Sequence, residues 1–423
     1  MTALDHLWLH FTEMGRYEAG EELQVIVRGD GCYLEDAAGR RYLDALAGLF
    51  CVNIGYGFGE EMGEAAAATP QIHAHRGGTV ENGTAKYPEE GLAAYKRAAR
   101  NGFVLEVDAK LTEDGVPVAI HDATLDRTTT CTGEVRTFTL AELAGCRIDF
   151  PAGKPARIIT IRSLLDYARK AGSTVNLEIK NVPSDPDYDS TPAYANKVMD
   201  AVIASRIPRS QLIIQSFVPA NLDVAVQRLP GVATSLLSLQ ALNEAYLQLA
   251  FDKDYDIISP EWPVTADYVH RAHLNGLDVI PFTLDTAADV RAARAAKVDE
   301  LITDDPLGAA RAMGLRPARA FDATVFIDGR RMITVVHLLG PRGVSARQSC
   351  RGTLLERVVL PGRRVQQVRR KLNRNCEARF GITRTPPRLG PPAVSVLFEG
   401  NARTLPVLDG PKVPLLKAPS FKP

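Results

Sequence analysis

The sequence predicts a (β/α)8 barrel over residues 69–318, preceded by an α+β arm and followed by a small β-sandwich. In the middle of the chain, short apolar runs alternate with amphipathic helical segments, which is the content of such a barrel. The segment before it is rich in glycine and aromatic residues, and helical periodicity is lost after it. The 423 residues suffice for these three parts, because a domain commonly takes roughly 100–200 residues.

Charge and hydropathy exclude several functional classes. Lys and Arg number 50, as do Asp and Glu, so the whole chain has no net attraction to nucleic acid. No apolar run reaches the roughly 20 residues needed to span a bilayer. The N-terminus carries Asp5, His6 and Glu13 and lacks the basic-then-apolar layout of a secretory signal. We therefore expect no nucleic-acid partner and no transmembrane segment.

The first segment, residues 1–68, predicts a short α+β arm. It contains a helix over Leu4–Glu13, a strand around Leu23–Arg28 and a hairpin through Gly31–Asp36. A second helix starts near Glu64 and stops at Thr69-Pro70, where the pattern changes.

This arm resembles the N-terminal arm of class III pyridoxal-phosphate aminotransferases, especially the omega-transaminase type. The matching residues are the Leu7-Trp8 opening, the Asp30–Asp36 hairpin and Asp44–Leu49. The resemblance ends before the cofactor-binding parts of that family, and no segment matches its Schiff-base lysine or its pyridinium-nitrogen aspartate. It implies a non-catalytic fragment, left by gene fusion or recombination, with no pyridoxal phosphate.

The barrel region contains eight candidate strands with helical patterns between them. The strands are Ile72–Ala74, Phe103–Ala109, Val175–Ile179, Leu212–Ser216, Val232–Leu237, Ile257–Ile258, Asp278–Phe282 and Glu300–Ile302. The helical patterns include Gly91–Arg100, Arg162–Lys170, Ala193–Ser205, Ala266–Leu274 and Ala287–Ala296. A doubly wound open sheet is the alternative. A glycine-rich phosphate loop after the first strand would favour it, but Ala74–Gly78 is not GxGxxG.

The last segment, residues 319–423, predicts antiparallel strands and a tail after Leu408 that is loose. The strand-like runs are Ala323–Ile327, Met332–Leu338, Thr353–Val359, Arg364–Val368, Glu377–Thr383 and Ala393–Phe398. Basic residues crowd here, namely Arg363, Arg364, Arg369, Arg370, Lys371, Arg374 and Arg379. They indicate either solvated strand faces or contact with an anionic envelope polymer or lipid headgroup.

Four of the six cysteines fall into two local pairs, Cys131 with Cys146 and Cys350 with Cys376. Such pairs suit disulfides in an oxidising compartment and favour an extracellular or secreted protein. The N-terminus, in contrast, offers no export signal. Cys32 and Cys51 lie in the aminotransferase-like arm.

Carboxylates on one predicted strand indicate a metal site. Glu106 and Asp108 stand at i and i+2, so both point to the same face of the strand. Two anions held together in a barrel interior are costly unless a cation compensates them, and Lys110 lies past the expected strand end. Oxygen ligands of this kind select Mg²⁺ or Ca²⁺. A half-exposed strand with such a pair is the structural alternative.

A second strand repeats this spacing. Glu178 and Lys180 share one face, so Glu178 can complete a three-carboxylate site while Lys180 neutralises a phosphate oxygen. The alternative is an ion pair inside the barrel.

Two histidines follow apolar runs at predicted strand ends, where barrel active sites form. His75 closes the first strand and His121 closes the hairpin after Asp108. Both imidazoles can exchange protons near neutral pH, which suits acid–base cleavage of an ester. Arg76 offers bidentate contact to phosphate.

At these positions the chain resembles the glycerophosphodiester phosphodiesterase family. The matching motifs, in the family's order, are His75-Arg76-Gly77, Pro88-Glu89, Glu106-x-Asp108, Leu111-Thr112-x-Asp114-Gly115, His121-Asp122, Leu125–Thr129, Glu178-x-Lys180 and Ile302–Pro306. The resemblance implies a (β/α)8 barrel that cleaves glycerophosphodiesters to glycerol 3-phosphate and an alcohol.

The resemblance also implies a role for each site residue. Glu106, Asp108 and Glu178 would hold one divalent cation, Ca²⁺ or Mg²⁺, and His75 and His121 would form the acid–base pair. Which histidine is the acid stays open. The phosphate would be held by Arg76 and Lys180.

Two departures from the family pattern bear on the pocket. The usual Pro-Glu-Asn-Thr is Pro88-Glu89-Glu90-Gly91 here, and Phe282 stands where many members have tryptophan. Phe282 and Trp262 are candidate pocket walls, with core packing as the alternative for each. The Cys131–Cys146 pair resembles that of exported members.

Two other functions remain open. A related barrel could cleave sphingomyelin-type or lysophospholipid headgroups, although Glu178-x-Lys180 and the closing motif argue against it. Alternatively, the chain is an inactive fusion product with only a binding function.

Overall fold

The chain forms two compact units, residues 1–68 and 69–423. The computed structural model describes residues 26–30, 33–36, 40–43, 70–150, 153, 155–318, 320–328, 331–341, 345, 348, 350–359, 365–383, 393–408 and 412–413. The helix expected over Leu4–Glu13, the helix start near Glu64, and Cys32 and Cys51 lie outside these residues.

The described part of the first unit is a three-stranded antiparallel sheet. Its strands are β1 (Ile26–Asp30), β2 (Tyr33–Asp36) and β3 (Arg41–Leu43), paired in that order. Asp30 pairs with Tyr33, so the expected hairpin is present. The described part of the first strand is Ile26–Asp30, and the predicted start near Leu23 lies outside the described residues.

Eight parallel strands form the barrel of the second unit. In spatial order they are β15 (Asp278–Val279), β14 (Ile257–Pro260), β13 (Ala233–Ser238), β12 (Leu212–Ser216), β11 (Val175–Ile179), β7 (Val104–Leu111), β4 (Gln71–Ala74) and β16 (Glu300–Thr303). Backbone hydrogen bonds from Ile302 N to Pro281 O (3.0 Å) and from Leu284 N to Ile302 O (2.9 Å) close the ring. The predicted (β/α)8 barrel is confirmed.

Several short strands lie outside this ring of eight. They are β5 (Val80–Glu81), β6 (Thr84–Ala85), β8 (Pro117–Ala119), β9 (Arg147–Ile148) and β10 (Ala156–Arg157). Strand β8 pairs antiparallel with the end of β7 and brings the chain back toward the barrel's carboxyl end.

The helices alternate with the barrel strands. They are α1 (Leu92–Arg100), α2 (Leu140–Leu143), α3 (Ile161–Ala171), α4 (Ala193–Ser205), α5 (Pro219–Arg228), α6 (Glu244–Asp252), α7 (Ala266–Leu274), α8 (Ala287–Ala295) and α9 (Pro306–Ala312). Threonines that accept a backbone N–H cap α3, α7 and α8, which fixes where these helices begin. No described helix is long and apolar enough to cross a membrane.

Strand β7 is longer than the sequence indicated, which changes the environment of Lys110. The strand continues to Leu111, so Lys110 lies within it and is fully buried. Its Nζ pairs with Asp185 (2.6 Å) and Asp187 (2.9 Å), which compensate its charge. The Lys110 ammonium is therefore paired with two carboxylates of the loop after β11 and not with the carboxylates on its own strand.

The C-terminal part is a β-sandwich of two antiparallel sheets. One sheet is β17 (Ala320–Asp328), β18 (Arg331–Leu339) and β21 (Glu377–Thr383); the other is β20 (Val365–Lys371), β19 (Thr353–Val359), β22 (Ala393–Phe398) and β23 (Lys412–Val413). Both sheets contribute to one buried apolar cluster, with Val336 and Phe380 from the first and Leu354 and Val396 from the second. The predicted sandwich is confirmed.

Both expected disulfides are present. Cys131 is bonded to Cys146, and Cys350 is bonded to Cys376 beside the sandwich core. Two such bonds support an oxidising, extracellular environment.

Candidate active site

Three carboxylates meet inside the carboxyl half of the barrel. Glu106 and Asp108 lie on β7, and the pairing register places Glu178 of β11 opposite Asp108. All three are buried, with exposed fractions of 2%, 1% and 4% respectively. One oxygen from each lies within 4.8 Å of the others.

The pKa values of the three carboxyl groups are shifted in different directions. Burial raises the pKa of Glu178 to about 8, with Lys180 opposing the change and Asp108 adding to it. Burial and the neighbouring Asp108 also raise the pKa of Glu106. The pKa of Asp108 lies well below its usual range: burial opposes ionisation, but Lys180, His121 and Arg76 outweigh it. Ionising all three carboxyl groups together therefore carries a high electrostatic cost.

Buried oxygens of this cluster fit a hard divalent cation. Asp108 Oδ2 and Glu178 Oε1 make ion-pair contacts but no hydrogen bond with any residue that the structure describes. Glu106 keeps lone pairs beside the hydrogen bonds that it accepts from Arg76 N (2.8 Å) and Gln215 Nε2 (2.8 Å). Three converging carboxylate oxygens are the ligands that Ca²⁺ and Mg²⁺ prefer.

The turn after β4 places His75 and Arg76 beside the cluster. Arg76 has a φ of 50°, and Gly77 and Gly78 also have positive φ values. A Cβ on Gly77 would lie 2.7 Å from the Ala94 Cβ, so a side chain there would push the turn away from α1.

His75 is oriented by a carboxylate from the far end of the barrel sequence. Its Nδ1 lies 2.7 Å from Asp304 Oδ1, at the end of β16. Burial disfavours the charged imidazole, but the hydrogen bond to Asp304 and the charge of Glu106 raise the pKa of His75 overall.

His121 is held by a charged network on the opposite loop. Its Nδ1 lies 2.6 Å from Asp122 Oδ1, and Arg127 Nε donates to Asp122 Oδ2 at 2.6 Å. Arg127 also donates two hydrogen bonds to Glu89 (2.9 and 2.8 Å), which accepts one from Arg76 (3.1 Å). Burial lowers the pKa of His121, with Lys180 and Arg76 adding to the effect against Asp108.

The two predicted phosphate ligands flank the carboxylates. Arg76 Nε is 3.3 Å from Asp108 Oδ2, while Lys180 Nζ is 3.5 Å from Asp108 Oδ1 and 3.1 Å from Glu178. The Lys180 ammonium also lies 5.6 Å from the centroid of the Phe217 ring. Phe217 packs edge to face against Phe282 with centroids 6.0 Å apart.

A cavity of about 870 Å³ opens onto these groups. Of the residues predicted for the site, those lining it are His75, Arg76, Glu106, His121, Glu178, Lys180 and Phe282. Asp108 lies behind the lining, in contact with Arg76 and Lys180.

Comparison with known proteins decides the family. The model of the glycerophosphoryl diester phosphodiesterase family matches residues 75–307, more than half of the chain. The chain belongs to this family. It is accordingly an enzyme of the phosphodiesterase class.

Curated relatives and a solved structure agree with the family assignment. A glycerophosphodiester phosphodiesterase of Caldanaerobacter subterraneus subsp. tengcongensis is 30% identical over 239 residues, 56% of this chain and 94% of the relative. One from Bacillus altitudinis is 25% identical over 243 residues, 56% of this chain and 95% of the relative. The crystal structure of a putative glycerophosphoryl diester phosphodiesterase from Silicibacter pomeroyi superposes with a TM-score of 0.51 at 25% identity, covering 58% of this chain and 93% of that one.

A separate short match concerns a different enzyme class. A probable aminotransferase of Mycobacterium tuberculosis is 53% identical over 66 residues, which are 16% of this chain and 13% of that protein.

Trp262 lies outside the cavity lining of this phosphodiesterase barrel. It packs partly buried against the barrel core, and its Nε1 donates to Asp289 at 3.0 Å. The indole is thereby anchored to α8, whereas Phe282 lines the cavity.

Three contact residues were not assigned roles from the sequence. Gln215 holds Glu106, and Asp304 holds His75, as described above. Glu90, which replaces the family's asparagine, is buried and accepts hydrogen bonds from Asp108 N (3.2 Å) and from the Tyr95 hydroxyl. Of these three residues, Gln215 carried a signal in the sequence, because it is an isolated amide in the apolar run of β12.

Proposed function

We propose that the protein hydrolyses glycerophosphodiesters to glycerol 3-phosphate and an alcohol, using one divalent cation, Ca²⁺ or Mg²⁺, and two histidines. The observation that carries this proposal is the meeting of three buried carboxylates, two carboxylate-oriented histidines and a lysine at one cavity. The names of the relatives support the choice of substrate class.

The cation would be held by Glu106, Asp108 and Glu178. When bound, it would supply positive charge beside the phosphodiester, where negative charge grows during cleavage. The residues around it add to this field. Lys180 and Arg76 carry charges that are ion-paired and largely desolvated, so they act on a phosphate oxygen more strongly than they would in water.

The histidines would move the protons. In each ring Nδ1 is engaged by a carboxylate, which leaves Nε2 as the nitrogen available to the substrate. One imidazole takes the proton of the attacking oxygen, either the glycerol 2-hydroxyl or a water. The other gives a proton to the alcohol oxygen as its bond to phosphorus breaks. Attack by the 2-hydroxyl gives a cyclic phosphate, which a water then opens with the two histidine roles exchanged, so both routes end at glycerol 3-phosphate. Asp304 and Asp122 fix the ring orientations, and Arg127 and Glu89 connect Asp122 to Arg76.

We further propose a division of labour along the chain. Residues 1–68 are a non-catalytic fragment related to aminotransferases, supported by the short match to such an enzyme. Residues 69–318 carry the catalysis, and residues 319–423 form an accessory sandwich.

The test is release of glycerol 3-phosphate by the full chain. Chelator-treated protein is assayed with glycerophosphocholine and with the ethyl ester of glycerol 3-phosphate, with Ca²⁺ or Mg²⁺ added back separately. We expect activity only after a cation is restored. Product no greater than that of the His121→Ala variant would contradict the proposal, as would full activity in excess chelator.

A further inference from the structure

A series of hydrogen-bonded side chains crosses the barrel interior and ends at the proposed cation site. We call it the interior network; its members, from five different strands, are Glu300, His73, Asn176, Gln215 and Glu106. At one end His73 Nε2 contacts Glu300, and Asn176 Nδ2 lies 3.1 Å from His73 Nδ1. At the other end Asn176 Nδ2 lies 2.8 Å from Gln215 Oε1, and Gln215 Nε2 lies 2.8 Å from Glu106 Oε1.

The middle of the interior network is shielded from solvent. His73 and Asn176 are fully buried and Gln215 is 1% exposed, whereas 20% of the Glu300 side chain is exposed. Burial removes bulk water as an alternative partner, so the orientation of each group is set by its neighbours. A change at the solvent-exposed end can therefore be passed to the cation site.

The direction of every hydrogen bond follows from the cation end. An ionised carboxylate only accepts, so Gln215 turns its amide nitrogen to Glu106 and its oxygen to Asn176. Asn176 must then present its own nitrogen, and the second N–H of that nitrogen is directed to His73 Nδ1. This ring nitrogen accepts, so the ring proton lies on Nε2, where Glu300 accepts it.

The Asn176 amide is the point where this order depends on His73. Its Oδ1 makes no hydrogen bond with a residue that the structure describes, so among those residues the orientation rests on the two bonds of Nδ2. With the ring proton on Nδ1, two N–H groups would face each other, and Asn176 would turn its oxygen to the ring. Gln215 would then have to turn as well, and its oxygen would be repelled by Glu106.

We propose that His73 is a positioning residue for the cation site, and that Glu300 fixes its tautomer from the amino end of the barrel. This inference rests on the proposed cation site. With the ring proton held on Nε2, Gln215 keeps its N–H on Glu106, and this carboxylate is oriented before the cation binds.

The experiment changes Glu300, because its side chain is partly exposed and least tied to core packing. The full chain is freed of metal with a chelator, and Ca²⁺ affinity is measured by titration calorimetry. Glu300→Leu leaves His73 Nε2 without its acceptor and should weaken Ca²⁺ binding by roughly 10-fold, the lower end of the cost of changing an outer partner. Glu300→Gln restores an acceptor oxygen without the charge, so its affinity should match that of the parent.

His273→Leu is the matched control. This histidine also pairs with a carboxylate, Asp299 at 2.8 Å, but it lies on α7 outside the interior network. Its replacement should leave the Ca²⁺ affinity unchanged.

A second measurement uses the parent protein alone. Nitrogen-15 NMR of histidine-labelled protein distinguishes a protonated ring nitrogen from an unprotonated one. We expect the His73 proton on Nε2, and we expect Ca²⁺ titration to move the His73 ring signals while the His273 signals stay in place.

Each outcome has a defined meaning. Weaker Ca²⁺ binding in Glu300→Leu alone, with the His73 proton on Nε2, supports the proposal. The proposal is overturned if Glu300→Leu binds Ca²⁺ like the parent, or if either Glu300→Gln or His273→Leu weakens binding equally.

The NMR measurement decides the question if Glu300→Leu does not fold. A proton on His73 Nδ1, or ring signals that ignore Ca²⁺, would then overturn the proposal. If the parent binds neither Ca²⁺ nor Mg²⁺, the proposed cation site fails and this inference fails with it.

Discussion

Two polar clusters share the interior of this barrel, and their chemistry differs. The carboxylate cluster consists of Glu106, Asp108 and Glu178. The amide cluster consists of His73, Asn176 and Gln215: Asn176 Nδ2 lies 2.8 Å from Gln215 Oε1 and 3.1 Å from His73 Nδ1, and His73 Nε2 contacts Glu300.

The difference teaches which buried polar groups indicate a site. In the amide cluster, neighbours bring donors and acceptors to one another, and the polar atom left without a hydrogen bond to the described residues is Asn176 Oδ1, an uncharged acceptor, so most of the burial is compensated inside the protein. In the carboxylate cluster three groups of the same sign converge, and two of their oxygens make no hydrogen bond with the described residues. That cost is removed when a cation binds, which is why this cluster indicates chemistry and the other indicates structure.

The largest expected effect comes from breaking the carboxylate cluster. Glu178→Gln removes one of the three proposed cation ligands, so cation affinity and turnover should fall by more than the roughly 10–100-fold that changing an outer partner costs. The cation-free variant should be at least as heat-stable as the parent at neutral pH. The reason is that the pKa of Glu178, raised by burial to about 8, lies above its unfolded value, so ionising this group costs stability.

Melting curves with and without Ca²⁺ check both parts of this prediction. The parent should gain stability with Ca²⁺, and Glu178→Gln should not. Glu261→Gln is a control on an exposed carboxylate after β14. If Ca²⁺ stabilises Glu178→Gln as much as it stabilises the parent, the proposed difference between the two clusters is wrong.

A second prediction separates proton transfer from cation binding, because turnover should fall while cation binding is kept. His121→Ala should lower kcat by about 100- to 10,000-fold while preserving the Ca²⁺-induced rise in melting temperature, because His121 is not a carboxylate ligand. His273→Ala is the matched control: this histidine also pairs with an aspartate, Asp299 at 2.8 Å, but lies on the exposed side of α7. Loss of the Ca²⁺ response in His121→Ala would show that the histidine acts on the site's structure.

Much of the fold follows from local sequence, for a physical reason. Strands β11 and β12 have the predicted bounds, because parallel strands buried on both faces appear as continuous apolar runs between turn residues. The convergence of Glu106 and Asp108 also follows, because the alternation of a strand places i and i+2 on one face. Strand β15 is shorter than its apolar run predicts: its ladder ends at Val279, and Phe282 forms only an isolated bridge with Glu261.

Contacts between distant segments were beyond the reach of local patterns. Asp304 lies 229 positions after His75 in the chain. The two residues are in contact only because β16 pairs with β4 where the ring closes. Lys110 and Trp262 show the same limit, since their partners lie on a loop and a helix whose placement depends on the whole barrel. A motif identifies which residues matter, whereas closure of the barrel decides which of them touch.

The hydrogen bond between the clusters supports a third, more moderate prediction. Gln215 Nε2 donates to Glu106 Oε1 at 2.8 Å, so the amide cluster orients one of the proposed cation ligands. Gln215→Leu should weaken Ca²⁺ binding by roughly 10–100-fold, measured by calorimetry on the chelator-treated protein. Ser235→Ala is the control, because Ser235 is a buried barrel residue bonded to Ser259 at 2.7 Å rather than to a carboxylate. Equal weakening in both variants would mean that any interior polar change disturbs the site.

The smallest effect lies at the amino end of the barrel, where like charges also gather but are solvated. Partial desolvation of its carboxyl group, with the like charges of Asp299 and Glu300 adding to it, raises the pKa of Asp278 to about 6 although the residue is largely exposed. Because this folded value lies above the unfolded one, the ionised group costs stability above pH 6 and nothing below pH 3.8. Asp278→Asn should therefore raise the melting temperature at pH 7.5 but not at pH 3.5.

Asp278 is exposed, so screening keeps the gain under about 1 kcal/mol. Glu113→Gln, on an exposed turn, is the control. A gain as large as that of cation-free Glu178→Gln would mean that burial and convergence are not what distinguish the carboxylate cluster.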